Sequence, residues 1–402
     1  MRNLWTLYRY EIRKLTGRKL LWVTALLCAA GVAISAFAGI IGTYYVDGKP
    51  IESNYEAFRK DQAYRKAISG RAIDEALLRE TVEGYRHVPV DAGRYTLTEE
   101  YETYARPYSD IFNLIRAWTG MNLSSIQSWE PDEAELYEAR MQMIERSWQS
   151  ALLTQKEKAY WREMEGRINK PFVYRYHEGY AIILNCFLTV GVMLLLFVAV
   201  CLPNLFADEH TQRTDQLVLS CPQGRMPVYW AKMLAGVTVC VTAAILMTLL
   251  IMGLCFLFYG TEGFDMPFQA YNSGYSYPIS IGQACVIAYG MLIAASVLAA
   301  IFVMVTSELF RSGIAALSVS TALIILGNVV MIPAQYRVLA QIWDWSPMAY
   351  LSTWNVFDSR TLVLYGRCFP SWQVVPGIYL LLSGVLSFAG ARIYRQYQVT
   401  GR

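Results

Sequence analysis

The residues most suited to a specific task lie between Phe206 and Lys232, in the stretch FADEHTQRTDQLVLSCPQGRMPVYWAK. It is a short polar loop between two long uncharged runs. Within it Leu217, Val218 and Cys221 recur at helix-like spacing. A Pro222-Gln223-Gly224 turn follows, with two cations beyond it, Arg225 and Lys232. These residue types in this order do not make or break bonds. A loop between membrane spans that mixes apolar side chains with charges is a contact surface, the place where a membrane protein meets a cytosolic partner.

Elsewhere the residues of catalysis are missing or scattered. His87, His177 and His210 have no ligand spacing, so no metal site is expected. Most of the eight cysteines fall in apolar runs, where a free thiol packs like a small apolar residue. Residues 46–178 contain none, and only Cys368 clearly faces outward, which excludes a disulfide framework. There is no GxxxxGK[ST] phosphate loop, so the chain does not itself bind ATP in that way. No Ser/His/Asp or HExxH constellation falls in a span. Asn122-Leu123-Ser124 matches a glycosylation sequon, which chance explains equally well. Carriers coupled to protons or sodium need ionisable groups at membrane depth. None lies deep in these runs, where Asn328 is the most polar residue. Energy for any movement would come from outside the chain, and an apolar interior suits an amphipathic cargo better than a small ion. Nucleic acid is not an expected partner.

The elements that must position the loop are membrane helices. Apolar residues make up 55% of the chain and charged residues 17%, but the decisive observation is where charges are absent. Uncharged runs lie between Lys19 and Asp47, Glu178 and Asp208, and Lys232 and Glu262. Further runs occupy 280–306, the interval from Arg311 to Arg337, and that from Arg367 to Arg392. About 20 apolar residues cross ~30 Å of hydrocarbon as a helix, and only a helix satisfies its own backbone there. Six spanning helices are predicted, in an all-α membrane protein. The first run is too long for a cleaved signal peptide, and it follows Arg2, Arg9, Arg13, Lys14, Arg18 and Lys19. Those cations place the N-terminus in the cytoplasm. Six crossings return the C-terminus there, and they put the 208–231 loop and the Glu308–Arg311 turn on the same side.

Residues 1–18 read as an amphipathic helix at the membrane interface. Leu4, Tyr8, Ile12 and Leu15 form its apolar face, turned to lipid, and the cations are directed to anionic headgroups. With the first span it makes up residues 1–45. Residues 46–178 form an extracellular insert, mostly helical, with helices at 52–68 and 73–86 and a turn near His87. A long helix follows Pro131 and runs without Gly or Pro to Gly166. Residues 179–402 hold five further spans. Trp343, Trp345, Tyr350 and Trp354 belong to an aromatic outer segment, 336–372, read as short helices dipping into the membrane or as an interfacial loop. Gly31, Ser35 and Gly39 stand four apart in the first span, for packing within the chain or at a subunit interface.

Six spans, an interfacial N-terminal helix and this first cytoplasmic loop resemble the membrane subunits of type-two, export-class ABC transporters. The carrying residues are Phe206, Glu209, Thr214, Leu217, Leu219, Pro222, Arg225 and Lys232: an acidic residue after the second span, a Thr-x-x-Leu helix, a Pro-x-x-Arg turn, and a Lys opening the third span. Ser346-Pro347 with Tyr350-Leu351 is similar to the family's Ser-Pro-x-x-Tyr-Leu element before the last span. Gly224 departs from the family's pattern, and the large insert departs from its compact permeases.

The resemblance implies a permease that is not itself an enzyme and carries no cofactor. ATP and magnesium would be held by separate cytosolic ATPase subunits. The loop helix would dock on an ATPase, with Leu217, Leu219 and Pro222 for grip and Glu209, Arg213 and Arg225 for orientation, and Glu308 and Arg311 would form a second cytoplasmic turn. A second permease copy or a relative would complete the assembly, in contact with membrane lipid. The expected cargo is amphipathic or hydrophobic: an antimicrobial peptide, a lipid or a drug. The lack of outward cysteines suits a bacterial plasma membrane. A different class of function also fits, a non-transporting sensor whose insert detects a ligand and signals through the same loop.

Overall fold

A computed structural model describes residues 2–46, 49–90, 95–212 and 225–396. The chain is helical almost throughout. Helix α1 (Arg2–Thr16) precedes α2 (Lys19–Phe37). A short antiparallel hairpin, β1 (Thr43–Val46) and β2 (Lys49–Ser53), leads into the insert. The insert's helices are α3 (Asn54–Ala67), α4 (Glu75–Arg86), α5 (Ser109–Thr119), α6 (Leu123–Ser128), α7 (Glu133–Ser150) and α8 (Gln155–Gly166). The bundle resumes with α9 (Glu178–Asn185), α10 (Phe187–Cys201), α11 (Asn204–Thr211), α12 (Arg225–Tyr259), α13 (Ile281–Phe310) and α14 (Gly313–Val329). It ends with α15 (Arg337–Asp344), the hairpin β3 (Leu362–Leu364) and β4 (Arg367–Phe369), and α16 (Ser371–Gln396). The β3–β4 turn uses two positive-φ residues, Tyr365 (49°) and Gly366 (80°), which matches the right-handed twist of paired strands.

Five helices among the described residues are long and apolar enough to cross a membrane: α2, α10 with α11, α12, α13 and α16. The expected sixth is not straight. Helix α14 has 17 residues, and across a break at 330–333 the chain bends by 119° into the Ala334–Asp344 segment. Pro333 lies in that break and fixes its own φ while restricting the residue before it. The count is six only if the bent pair is one span.

Helix α13 is the centre of the bundle and touches α10, α12, α14 and α16. Ala284, Ala288, Ala295, Ala299 and Ala300 are all buried on it, so neighbouring backbones approach closely. By contrast α2 buries only Leu21, Cys28, Val32 and Ala36, and leaves Leu26 and Leu27 exposed. Gly31 of α2 is used within the chain: a Cβ there would sit 3.0 Å from Met193 Cε on α10. Nothing lies against Gly39.

In the insert, α3 and α4 form close to where they are expected. The long helix expected after Pro131 is two helices. Leu152 between them has φ +55°, and Thr154 opens α8 with a capping box closed by Glu157. On α7 the buried stripe is Leu136, Arg140, Ile144 and Trp148, with an arginine where an apolar residue would be expected. The returning chain pairs with 70–73, through Ile73 N–H to Phe172 O (2.7 Å) and Tyr174 N–H to Arg71 O (2.8 Å).

The insert is fastened to the ends of the bundle helices. The Trp118 indole donates to Ser273 Oγ (2.8 Å) and that of Trp161 to Ser359 O (2.6 Å). Tyr176 donates to Tyr259 O at the end of α12 (2.7 Å). Glu157, fully buried, accepts from Arg337 at the start of α15 (2.5 Å) and from Thr361 N–H (2.8 Å).

Candidate functional site at the charged base of the bundle

The ends of α10–α11 and α13 and the starts of α12 and α2 meet at the base, the end opposite the insert, and α1 lies across them. Each helix brings a charge there. Helix α11 continues the α10 span through Pro203, whose missing N–H is tolerated at a helix start, so Asp208, Glu209 and His210 lie on a helix rather than in a loop. Helix α12 already includes Arg225, well before its uncharged run. Arg225 therefore lies on a helix and not in a turn, and Lys232 is two turns further along.

Lys232 is the hub. Its side chain is 0% exposed. Nζ lies 2.5 Å from Glu209 Oε1 and donates to Leu205 O at 2.9 Å. The ammonium also sits 5.0 Å above the Phe206 ring, a favourable place for a desolvated cation. A second carboxylate, Glu11 of α1, lies within electrostatic reach of it. Glu11 is 6% exposed, and its Oε2 accepts no hydrogen bond. Burial pushes the Glu11 carboxyl above its ordinary range. Lys232 and Lys14 pull it down, and Glu209 adds to the rise. Glu11 pairs with Lys14 at 4.0 Å and also feels the charge of Lys232. Taking charges out of water costs several kcal/mol per ion, and only good geometry offsets it.

Further pairs surround the hub. His210 Nε2 lies 3.0 Å from Glu308 Oε2, joining α11 to the end of α13. Ser307 donates to Pro203 O at 2.5 Å. Arg18, ahead of α2, reaches Asp208 at 2.6 Å. Arg225 donates to Arg395 O at 3.3 Å and ties the start of α12 to the end of α16. Tyr229 donates to Ser387 O at 2.7 Å and stacks loosely with Phe206 and Tyr394.

The structure thus brings together Glu209, Lys232 and Glu308, with Arg225 at the rim. Glu308 and Arg311, expected as one turn, separate: Glu308 is buried, whereas Arg311 is exposed and closes α13 with φ +53°. Of the N-terminal face, Leu15 is buried and Leu4, Tyr8 and Ile12 are half-buried. Tyr8 donates to Thr238 Oγ1 of α12 at 3.2 Å. This face is turned toward α12 instead of lying free in lipid. Arg213, Thr214, Leu217, Leu219 and Pro222 lie outside the described residues. Sequence reasoning missed Glu11 and His210. The available signal for Glu11 was that it is the one acid among the terminal cations.

Chemically the site offers no nucleophile set beside a base, and no metal-holding group of His, Cys, Asp and Glu occurs among the described residues. It offers mechanics. Glu209 and His210 tie α11 to α12 and α13, and Arg225 ties the start of α12 to the end of α16 through an exposed contact.

Fold and site together define a multi-pass helical membrane protein with a network of charges at its base. Residues 5–361 match the sequence profile described as ABC-2 family transporter protein, and the chain belongs to that family. It is a permease component of an ABC transporter, the membrane part and not the ATP-hydrolysing one, and the family works with ABC ATPase partners. Comparison with curated proteins gave no match.

Proposed function

We propose that this chain is the permease subunit of an ATP-driven exporter that moves an amphipathic or hydrophobic cargo, such as an antimicrobial peptide, a lipid or a drug. ATP and magnesium are held by separate cytosolic ATPase subunits docked beneath the base, with 213–224 as the docking segment. A second copy or a related permease completes the path, and α2, with little of its surface buried, is available for that contact. Both termini face the cytoplasm of a bacterial plasma membrane, and the insert lies outside, shaping the exit. Helix α1 lies at the membrane interface.

The observation that carries this reading is the buried Lys232–Glu209 pair with Glu11 beside it, placed where the docking segment leaves α11. The spans contain no coupling carboxylate at mid-depth, so the work must enter through the base. The test is purification of the full chain from its native membrane in mild detergent. A stoichiometric ATPase with a phosphate loop supports the reading, and its absence sinks it. Arg225→Glu is the clean coupling variant, because Arg225 is at the rim. It should abolish cargo-stimulated ATP hydrolysis while insertion is unchanged, and coupling that survives would refute the docking assignment.

A further inference from the structure

An apolar groove of about 450 Å³ runs along the outside of the bundle between α1, α2 and α12. Ile12 and Thr16 of α1 close its base end, Leu21, Trp22, Ala25 and Ala29 form one wall, and α12 from Thr238 to Leu250 forms the other. Phe197 of α10 contributes to the lining. The Thr16 and Thr238 hydroxyls donate to carbonyls of their own helices, at 3.0 Å (Ile12 O) and 2.8 Å (Leu234 O), which leaves the exposed Thr242 as the third hydroxyl on an otherwise apolar lining. From Thr238 to Leu250 the groove runs about 18 Å along α12 at ~1.5 Å per residue. One leaflet of a ~30 Å hydrocarbon core is about that deep. It stops at Leu250, whereas α12 continues to Tyr259.

The charge at its mouth is of one sign. On α1, Arg9 and Arg13 are exposed and lie within a turn of the lining residues Ile12 and Thr16. Lys19, also exposed, precedes the Trp22 wall by one turn. The only acid of α1, Glu11, is buried toward Lys232. Asp208, the acid closest to the start of α2, is engaged by Arg18. Trp22, 61% exposed, has its indole N–H fixed on Thr16 O at 2.7 Å, the posture of an aromatic at the headgroup level.

We infer that this groove binds one acyl chain of an anionic phospholipid, with the headgroup on Arg9 and Arg13. A partner's spanning helix needs ~30 Å and does not fit a groove that ends at half depth. A cargo path would have to continue to the other side, and this one does not. The bound lipid wedges α1 against α12 and so steadies Glu11 at the Lys232 hub. The inference rests on the proposed orientation only in that the base faces the leaflet rich in anionic lipid, and it does not depend on the ATPase partner.

The experiment is native mass spectrometry of the full chain after delipidation in detergent and titration with phosphatidylglycerol or phosphatidylcholine. The wild type should retain one phosphatidylglycerol, in preference to phosphatidylcholine. Ala25→Phe and the milder Thr242→Leu, both filling the groove, should lose it while eluting as folded protein. Arg9→Gln with Arg13→Gln should keep the acyl site but reduce the preference for phosphatidylglycerol roughly thirtyfold, as expected for two interfacial cations. Equal retention of both lipids by the wild type overturns the headgroup assignment. Unchanged retention in folded Ala25→Phe and Thr242→Leu overturns the groove. A cysteine at Ala29 that cross-links to a second permease copy would make the groove a subunit interface and overturn the inference. ATPase co-purification is read separately, so failure of either proposal is distinguishable.

Discussion

The two ends of the bundle handle buried charge in opposite ways. At the base, Lys232 pairs with Glu209, Glu11 pairs loosely with Lys14 at 4.0 Å and leaves its Oε2 without a hydrogen bond, and a histidine holds a nearly buried Glu308. At the insert end charges are shared out. Arg65 bridges Asp110 and Glu178, and Arg140 is paired with Glu165 and donates to Tyr275 O, although Arg140 Nε and Glu165 Oε2 are buried without a hydrogen bond. Glu157 is saturated by Arg337, Thr361 and its own capping box. A saturated network holds one arrangement, since every alternative strands a polar group. Glu11, with no hydrogen bond at Oε2, has less to lose by rearranging. The Glu157 network thus works as a cap on the outer ends of the helices, and the base is the end expected to yield first when a charge is removed.

The largest test removes the hub. Lys232→Met strands Glu209 and Glu11 in a buried site and should destabilise the protein by about 3–5 kcal/mol, read as thermal unfolding in detergent. Adding Glu209→Gln should recover a good part of that loss. A double variant no better than the single one would mean that the two residues are not energetically coupled. Next is the cap. Glu157→Gln keeps the shape but weakens charge-assisted bonds to Arg337 and Thr361, at about 1.5–3 kcal/mol. It should also increase hydrogen exchange in α15 and β3 more than at the base. Removing residues 50–175 should do the same in larger measure, because Ser273, Tyr275, Ser359 and Arg337 lose partners together. Unchanged exchange in the outer segments would show the insert to be a separable domain.

How much of this could be read beforehand follows from the range of each interaction. Spans are local, and long uncharged runs give them away. So are α3 and α4, with their acidic first turns and basic last turns. The break between α7 and α8 was also local: Thr154-Gln155-Lys156-Glu157 is a capping-box signature, hidden only because no Gly or Pro accompanies it. The bend after α14 was announced by Pro333. The hub was not legible in the same sense. Lys232 and Glu209 both stood out, but as surface charges flanking a loop. That they are buried, and that Glu11 comes within electrostatic reach of them from the far N-terminus, depends on α1 crossing α12, which no window of sequence contains. Arg140 was missed for a related reason, because its partners Glu165 and Tyr275 lie in other elements.

A smaller effect probes how tightly the base is closed. Gly390 on α16 faces Tyr229, and a Cβ there would fall 2.5 Å from its hydroxyl. Gly390→Ala should displace Tyr229 from Ser387 O and cost about 1–3 kcal/mol, with the change in protection confined to α12 and α16. A spread to the insert would mean that the two ends are not mechanically distinct.

The finest test is pH. The Glu11 carboxyl titrates higher in the folded protein than in the unfolded chain, because burial outweighs the pull of Lys232 and Lys14. The folded state therefore binds more protons between the two values. Stability falls as pH rises through that window, the reverse of an ordinary salt-bridged carboxylate. Glu11→Gln mimics the protonated form and should flatten this part of the stability–pH curve while leaving the low-pH end in place. A wild-type curve that rises across the window would show that Lys232 serves Glu11 as fully as it serves Glu209. The base would then be as fully satisfied as the Glu157 network, and the contrast between them would fail.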